Sequence, residues 1–211
     1  MLVVTPTNRE REALTKAIRD ELESSGRLSS KAKRFTTYKD RHLSEKEKLL
    51  ASSYETGNKI YFNSRLGSFK AGEVATVRLV RDDRLGGKHL MVAKRDGVTI
   101  RLEKIRLKES DIRKISVVDA EKIELKKDDL IRFTRNANSL SRRWFTKNNY
   151  HRVNNGQVAT IKSIRGNTIR LTNGLKIDAR LGNFTHGYVF TSYASQGQTC
   201  LLYTSPSPRD S

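Results

Sequence analysis

The sequence predicts an α/β plus β protein, in which an α/β unit is joined to two small antiparallel β modules. Three observations carry this: an apolar run followed by a helical pattern near the start, a β pattern between about 57 and 178 that occurs twice, and a second strand entering a hydroxyl-rich turn over 185–199. With 211 residues and 36% hydrophobic content, the chain can form one large domain or two small ones, each with a core.

Leu2-Val3-Val4-Thr5 is a short apolar run stopped by Pro6, as expected of a buried strand in an α/β unit. A helix follows: Thr7 and Glu10 have capping-box spacing, and Ala13, Leu14, Ala17, Ile18 and Leu22 form an apolar stripe until Gly26. The Thr5-Pro6-Thr7-Asn8 turn places backbone N–H groups and small hydroxyls at a helix start, where they serve either as plain caps or as phosphate ligands. Residues 31–56 are polar and read as a helical connector, with a short helix started by the Ser44/Glu47 capping pair and including Leu49 and Leu50.

Gly57-Asn58-Lys59-Ile60-Tyr61-Phe62 and Ala71-Gly72-Glu73-Val74-Ala75-Thr76-Val77 have counterparts in Lys127-Asp128-Asp129-Leu130-Ile131-Arg132-Phe133 and Asn155-Gly156-Gln157-Val158-Ala159-Thr160-Ile161. Val98-Thr99-Ile100-Arg101-Leu102 echoes Asn167-Thr168-Ile169-Arg170-Leu171, each after a Gly-containing turn. Short strands with Gly-centred turns suit two SH3-like antiparallel barrels, closed to protect their edges. The second copy carries an insertion over 138–152 with Arg142, Arg143, Trp144, Phe145, Lys147, Tyr150 and His151. Such a mixture can pair with phosphates and stack on bases, or its aromatics can plug a barrel end.

Lys and Arg number 42 against 23 Asp and Glu, a formal net charge of +19 spread along the chain. A folded body with a distributed positive field favours polyanions, nucleic acid first, through counterion release. No apolar stretch approaches the roughly 20 residues of a membrane helix and no signal-peptide pattern is present, so no membrane partner and a cytoplasmic location are expected. The single cysteine and the scattered His42, His89, His151 and His186 offer no metal-ligand cluster.

Over 185–199 a strand, Tyr188 to Phe190, enters the turn Thr191-Ser192-Tyr193-Ala194-Ser195-Gln196-Gly197-Gln198-Thr199. This segment resembles motif V of RecD-like superfamily-one 5′-to-3′ DNA helicases, most nearly the helicase part of MobF-type conjugative relaxases. Residues 2–18 resemble the start of the second RecA-like domain of that family, and Ile131-Arg132-Phe133-Thr134-Arg135-Asn136 followed by Asn155-Gly156 resembles the entrance to its inserted β-barrel. Tyr193 stands where the family has His, and Thr15 where it has Asn. The resemblance implies a partial RecA-like domain, with a parallel sheet, interrupted by the two SH3-like barrels. Residues 1–30 would begin that domain, 31–56 connect, 57–126 and 127–180 form the modules, and 181–199 return to it.

By the same resemblance, the intact parent is an ATP-dependent helicase and single-stranded-DNA translocase serving plasmid or element transfer, with ATP and Mg²⁺ held against an N-terminal RecA-like domain in cis. Arg11, Gln196 and Gly197 would lie near the nucleotide, while Thr5, Thr191 and Ser192 would face DNA. Asn8, Arg135, Asn136, Arg142, Arg143 and Trp144 complete the expected DNA-binding set. The chain has no Walker A or Walker B sequence, so it is expected to bind no cofactor and hydrolyse no ATP alone. Residues 200–211 resemble a translated sequencing adapter and are expected to be a non-native tail on a truncated fragment. The alternative function is a non-enzymatic nucleic-acid-binding protein with tandem SH3-like barrels.

Overall fold

The computed structural model describes residues 3–82, 88–96, 99–140 and 152–191. Strand β1 (Val3–Thr5) leads into α1 (Asn8–Ser24), whose N-cap Thr7 accepts a 3.2 Å bond from the Glu10 N–H. The expected cap is therefore present. The packing face of the helix differs from the expected apolar stripe: Ala13, Leu14 and Ala17 are exposed, while Thr15 is buried and Arg11 and Arg19 are half-buried. The reason is the neighbour. Arg19 is drawn to a carboxylate of the β-rich body, which leaves Ala13, Leu14 and Ala17 outside while Ile18 and Leu22 stay half-buried.

β2 (Ala32–Asp40) occupies the start of the expected helical connector. Its nine residues pair antiparallel with β7 (Ile115–Lys126), from Ala32 against Lys126 to Asp40 against Val118. Only Phe35 and Thr37 are buried along β2, so the segment has little apolar signal and is a strand because β7 templates it. The helix α2 (Glu45–Lys48) follows, with both halves of the Ser44/Glu47 capping box formed.

The first module contains β3 (Lys59–Phe62), β4 (Val74–Asp82), β5 (Lys88–Asp96), β6 (Thr99–Arg106) and α3 (Glu109–Ile112), and ends on the first residues of β7. The second contains β8 (Leu130–Phe133), β9 (Ala137–Asn138), β10 (Arg152–Val153), β11 (Val158–Arg165), β12 (Thr168–Leu171), β13 (Lys176–Asp178) and β14 (Phe184–His186). Module two thus extends past residue 180, to β14. The strand orders are β2-β7-β3-β4-β5-β6 and β13-β12-β11-β8-β14, with β9 and β10 as a separate ribbon. Among the described residues both sheets stay open, and no closed barrel forms. β4 and β11 are bent by bulges rather than joined edge to edge, which curls each sheet over its core without sealing it.

The two modules repeat one another down to single hydrogen bonds. Ile60 pairs with Ala75 and Tyr61 with Val74; Ile131 pairs with Ala159 and Arg132 with Val158. The bulge lies between Val77 and Leu79 in one copy and between Ile161 and Ser163 in the other. Gly72 N donates to Phe62 O at 2.8 Å, and Gly156 N to Phe133 O at 2.8 Å. Both glycines have positive φ, 85° and 82°, a backbone that other residues adopt at a cost. Asn58 accepts from the Glu55 N–H at 3.1 Å as Asp129 accepts from the Lys126 N–H at 2.7 Å.

One expected correspondence fails. Thr168-Ile169-Arg170-Leu171 is β12 and pairs directly with β11, whereas Thr99-Ile100-Arg101-Leu102 begins β6 and pairs with β5, one strand further out. Ile169 and Leu171 are fully buried, while Ile100 and Leu102 are 49% and 60% exposed. The echo is local, and a strand's distance from the core decides whether its apolar residues are covered.

Two cores result. Ile60, Phe62, Val77, Leu90 and Val92 centre the first; Ile131, Phe133, Ile161, Ile169 and Leu171 centre the second, joined by Phe35, Ile123 and Leu125 from the β2–β7 ribbon. After β14, β15 (Val189–Thr191) lies parallel to β1, with Val3 opposite Val189 and Thr5 opposite Thr191. The ends of the described chain are therefore side by side, with the β-rich middle looped out between them. This parallel sheet has two strands. Among the described residues no helix is long and apolar enough to cross a membrane.

Candidate anion-binding cleft

A cleft of about 790 Å³ lies where α1, the β2 strand and the two modules meet. Module two contributes Arg132, Thr134 and Thr185; module one contributes Asn63 and Ser116. The repeat makes these equivalent places, since Phe62 pairs with Ile115 and Tyr61 with Ser116 just as Phe133 pairs with Phe184 and Arg132 with Thr185. Asn8, Arg11 and Thr191 close the side nearest the parallel strands.

Arg132 is set by β-strand alternation. Ile131 and Phe133 point into the core, so Arg132 projects from the opposite face, where its guanidinium lies 4.8 Å from the Phe190 ring centre. It is only 9% exposed, and its Nε has no hydrogen-bond partner. Burial, and then the nearby Arg11 charge, push its pKa below the ordinary arginine value. The hydroxyl of Thr134 is also buried without a partner. In module one the matching groups are satisfied: the Asn63 Nδ2 donates to the Ser116 hydroxyl at 3.1 Å.

The neighbouring Arg135 is differently occupied. Its Nη1 donates to Tyr38 O at 3.0 Å, its Nη2 to Asp40 Oδ2 at 3.1 Å, and its guanidinium stacks 4.3 Å from the Tyr61 ring centre. This is a clamp between modules. Burial alone would raise the Asp40 pKa, but the His42 N–H, the Ser116 hydroxyl and the Arg135 charge together hold it below the usual carboxylate range. Of the acids lining the cleft, Asp40 pairs with Arg135 and Glu121 with Lys39 at 3.5 Å, leaving the balance positive.

A second polar cluster fixes the helix to this wall. Asp129 is completely buried and accepts from Arg19 Nε at 2.9 Å, Arg19 Nη2 at 3.1 Å, the Lys126 N–H at 2.7 Å and the Tyr188 hydroxyl at 2.9 Å. Tyr188 in turn accepts from the Leu130 N–H at 3.2 Å. Burial pushes the Tyr188 phenol well above its ordinary value. Three separate stretches of chain meet at one carboxylate.

The sequence-predicted residues divide accordingly. Asn8, Arg11, Arg135 and Thr191 line the cleft together. Thr5 is buried, its hydroxyl within reach of Thr7 O at 3.3 Å and Phe190 O at 3.4 Å. Asn136 accepts from the Asn155 N–H at 2.8 Å and so shapes the turn before Gly156. Arg142, Arg143, Trp144, Ser192, Gln196 and Gly197 lie outside the described residues. Sequence reasoning missed Arg132, Thr134, Thr185 and Asp129. The repeat held the missing signal: aligned with Tyr61, Arg132 is a cation substituted into an otherwise apolar strand.

Scanned against known families and against curated proteins, the chain matches none of them.

Proposed function

We propose that the chain is the DNA-gripping part of an ATP-dependent single-stranded-DNA translocase, within the second motor domain of a RecD-like helicase of the conjugative relaxase kind. The observation that carries this reading is the parallel pairing of β1 with β15, which brings the two ends of the described chain around a duplicated β insertion. That pairing also brings Asn8, Arg11 and Thr191 to the cationic cleft. Val4 on this two-stranded layer and Leu14 on α1 are exposed, as expected if further strands and helices of the intact parent cover them. In this reading Asn8, Thr191 and Arg132 hold phosphates of the strand. Arg11, which the family resemblance puts near ATP, is assigned to the strand because it shares the cleft with Arg132. ATP and Mg²⁺ belong to the intact parent, where a separate RecA-like domain supplies the phosphate-cradling loop.

The test is fluorescence anisotropy of a labelled oligothymidylate about 15 nucleotides long, titrated between about 50 and about 200 mM salt. Only cationic contacts release counterions, so Arg132 and Arg11 predict a log–log salt slope of about −0.7 if they share one phosphate and about −1.4 if they hold two. Undetectable or salt-insensitive binding overturns the reading. The duplicated modules favour one second reading, a non-enzymatic nucleic-acid-binding protein. It is separated from the first by the gene upstream of Met1, which encodes a Walker A loop only under the motor reading.

A further inference from the structure

The internal duplication allows one site to be compared with its own copy. At the position of Tyr61 in module one, module two has Arg132; at Asn63 it has Thr134; at Ser116 it has Thr185. The module-one version is closed by the Asn63–Ser116 hydrogen bond, and Tyr61 lies under the Arg135 guanidinium. The module-two version is left open: the Arg132 Nε and the Thr134 Oγ1 are both buried and without a protein partner. Buried donors left unsatisfied destabilise a fold, so two of them in one wall of a cleft point to a ligand that completes them. The donors are a guanidinium and a hydroxyl, and a second guanidinium, Arg11, which among the described residues has an ion pair only with the exposed Glu12 carboxylate at 3.4 Å, lines the same cleft. A tetrahedral oxyanion accepts from all three, and it relieves the like-charge cost of holding two arginines together.

We propose that Arg132, Thr134 and Arg11 form a seat for one phosphate group, created in the second module by divergence from the closed site of the first, and that its occupant is a backbone phosphate of a single nucleic-acid strand. This rests on the reading that the chain grips such a strand, and deepens it by assigning one phosphate to named donors. The remaining oxygens of a phosphodiester linkage would stay at the mouth of the cleft, so the strand passes across the seat rather than into it.

The test compares wild type, Arg132→Gln, Arg132→Lys and Thr134→Val of the full chain, with oligothymidylate anisotropy, ATP titration and a thermal melt on each. Loss of a charge-assisted contact predicts that Arg132→Gln binds the oligonucleotide about ten- to a hundredfold more weakly. Its salt slope should be shallower by about 0.7, the contribution of one single-strand phosphate. Arg132→Lys should keep the slope while losing affinity, because lysine supplies the charge without the fork. Thr134→Val is the discriminating variant. An unpartnered buried hydroxyl contributes nothing to the free fold, so the melting temperature should hold or rise while affinity for the oligonucleotide falls several-fold. A merely structural threonine would show the opposite.

If wild type binds the oligonucleotide and Arg132→Gln and Thr134→Val bind it equally well with the same slope, the seat is refuted and the strand-gripping reading stands. Failure of wild type to bind any oligonucleotide, with ATP affinity lost in Arg132→Gln, refutes that reading and the strand as occupant, and assigns the seat to a free nucleotide. Binding to neither refutes both.

Discussion

Replacing Asp129 tests the connection between the N-terminal helix and the duplicated body. The carboxylate is wholly buried, and four donor groups converge on it: two Arg19 nitrogens, the Lys126 N–H and the Tyr188 hydroxyl. Asp129→Ala leaves the Arg19 guanidinium, itself only 16% exposed, with the Glu124 carbonyl at 3.2 Å as its remaining acceptor. Breaking one partner of a buried pair costs about 3–5 kcal/mol, and orphaning the Lys126 amide adds about 1 kcal/mol. The expected loss is therefore about 4–6 kcal/mol. Asp129→Asn is milder, because Asn58 already performs the same cap in module one as a neutral amide. It should preserve the Lys126 and Arg19 Nη2 contacts on one oxygen, but it loses the charge and sets an NH2 against the Arg19 Nε, at about 2–3 kcal/mol. Urea unfolding followed by far-ultraviolet circular dichroism measures both, and a double-mutant cycle with Arg19→Met should return a coupling of about 2–3 kcal/mol. A cost below about 0.5 kcal/mol for Asp129→Ala, or no coupling to Arg19, would refute the argument that this carboxylate holds α1 in place.

Two further predictions concern pH and the repeat. Burial first, then the Arg19 and Arg11 charges, hold the His186 pKa below its ordinary 6.5, outweighing Asp129 and the Glu124 carbonyl, which accepts from Nε2 at 3.0 Å. The unfolded chain therefore binds a proton that the folded chain refuses as pH falls below 6.5, so this group makes stability rise with pH up to that value and leaves it flat above. Urea midpoints at about pH 5.5 and about pH 7.5 should show this slope in wild type, and His186→Gln should reduce it; an unchanged slope would remove His186 as its source. The two Thr-Ile-Arg-Leu segments should respond oppositely to truncation. Leu171→Ala, fully buried, should cost about 2–5 kcal/mol, while Leu102→Ala, 60% exposed, should stay within about 0.5 kcal/mol in the same unfolding assay. Equal costs would mean that Leu102 is covered in solution.

Much of the local structure was legible before any coordinates. The Thr7 and Ser44 caps form as their spacing predicts, because a side-chain oxygen reaching an N–H three residues on involves no distant part of the chain. The repeated strand pairs were legible too, since Gly72 and Gly156 mark the same positive-φ turn before the same apolar alternation. β2 was not, having no apolar period of its own. Of the cleft residues, Arg11 and Thr191 are reached only through the family resemblance, and Asn8 and Arg135 belong to the expected DNA-binding set. Their states were not legible: Arg135 is committed to Asp40 and Tyr38, while the Nε of Arg132, three residues earlier, has no hydrogen-bond partner.

The amino-acid order alone determined the caps, the turns, the two copies of the β pattern and the net charge of +19, because each depends on close neighbours or on composition. Only the tertiary structure decided which copy of Thr-Ile-Arg-Leu is buried, which face α1 turns inward and which arginine keeps an unpartnered nitrogen. Those outcomes depend on desolvation and on partners far away in the chain, and strand pairing across 186 residues, as between Val3 and Val189, brings such partners together without leaving a local pattern to read.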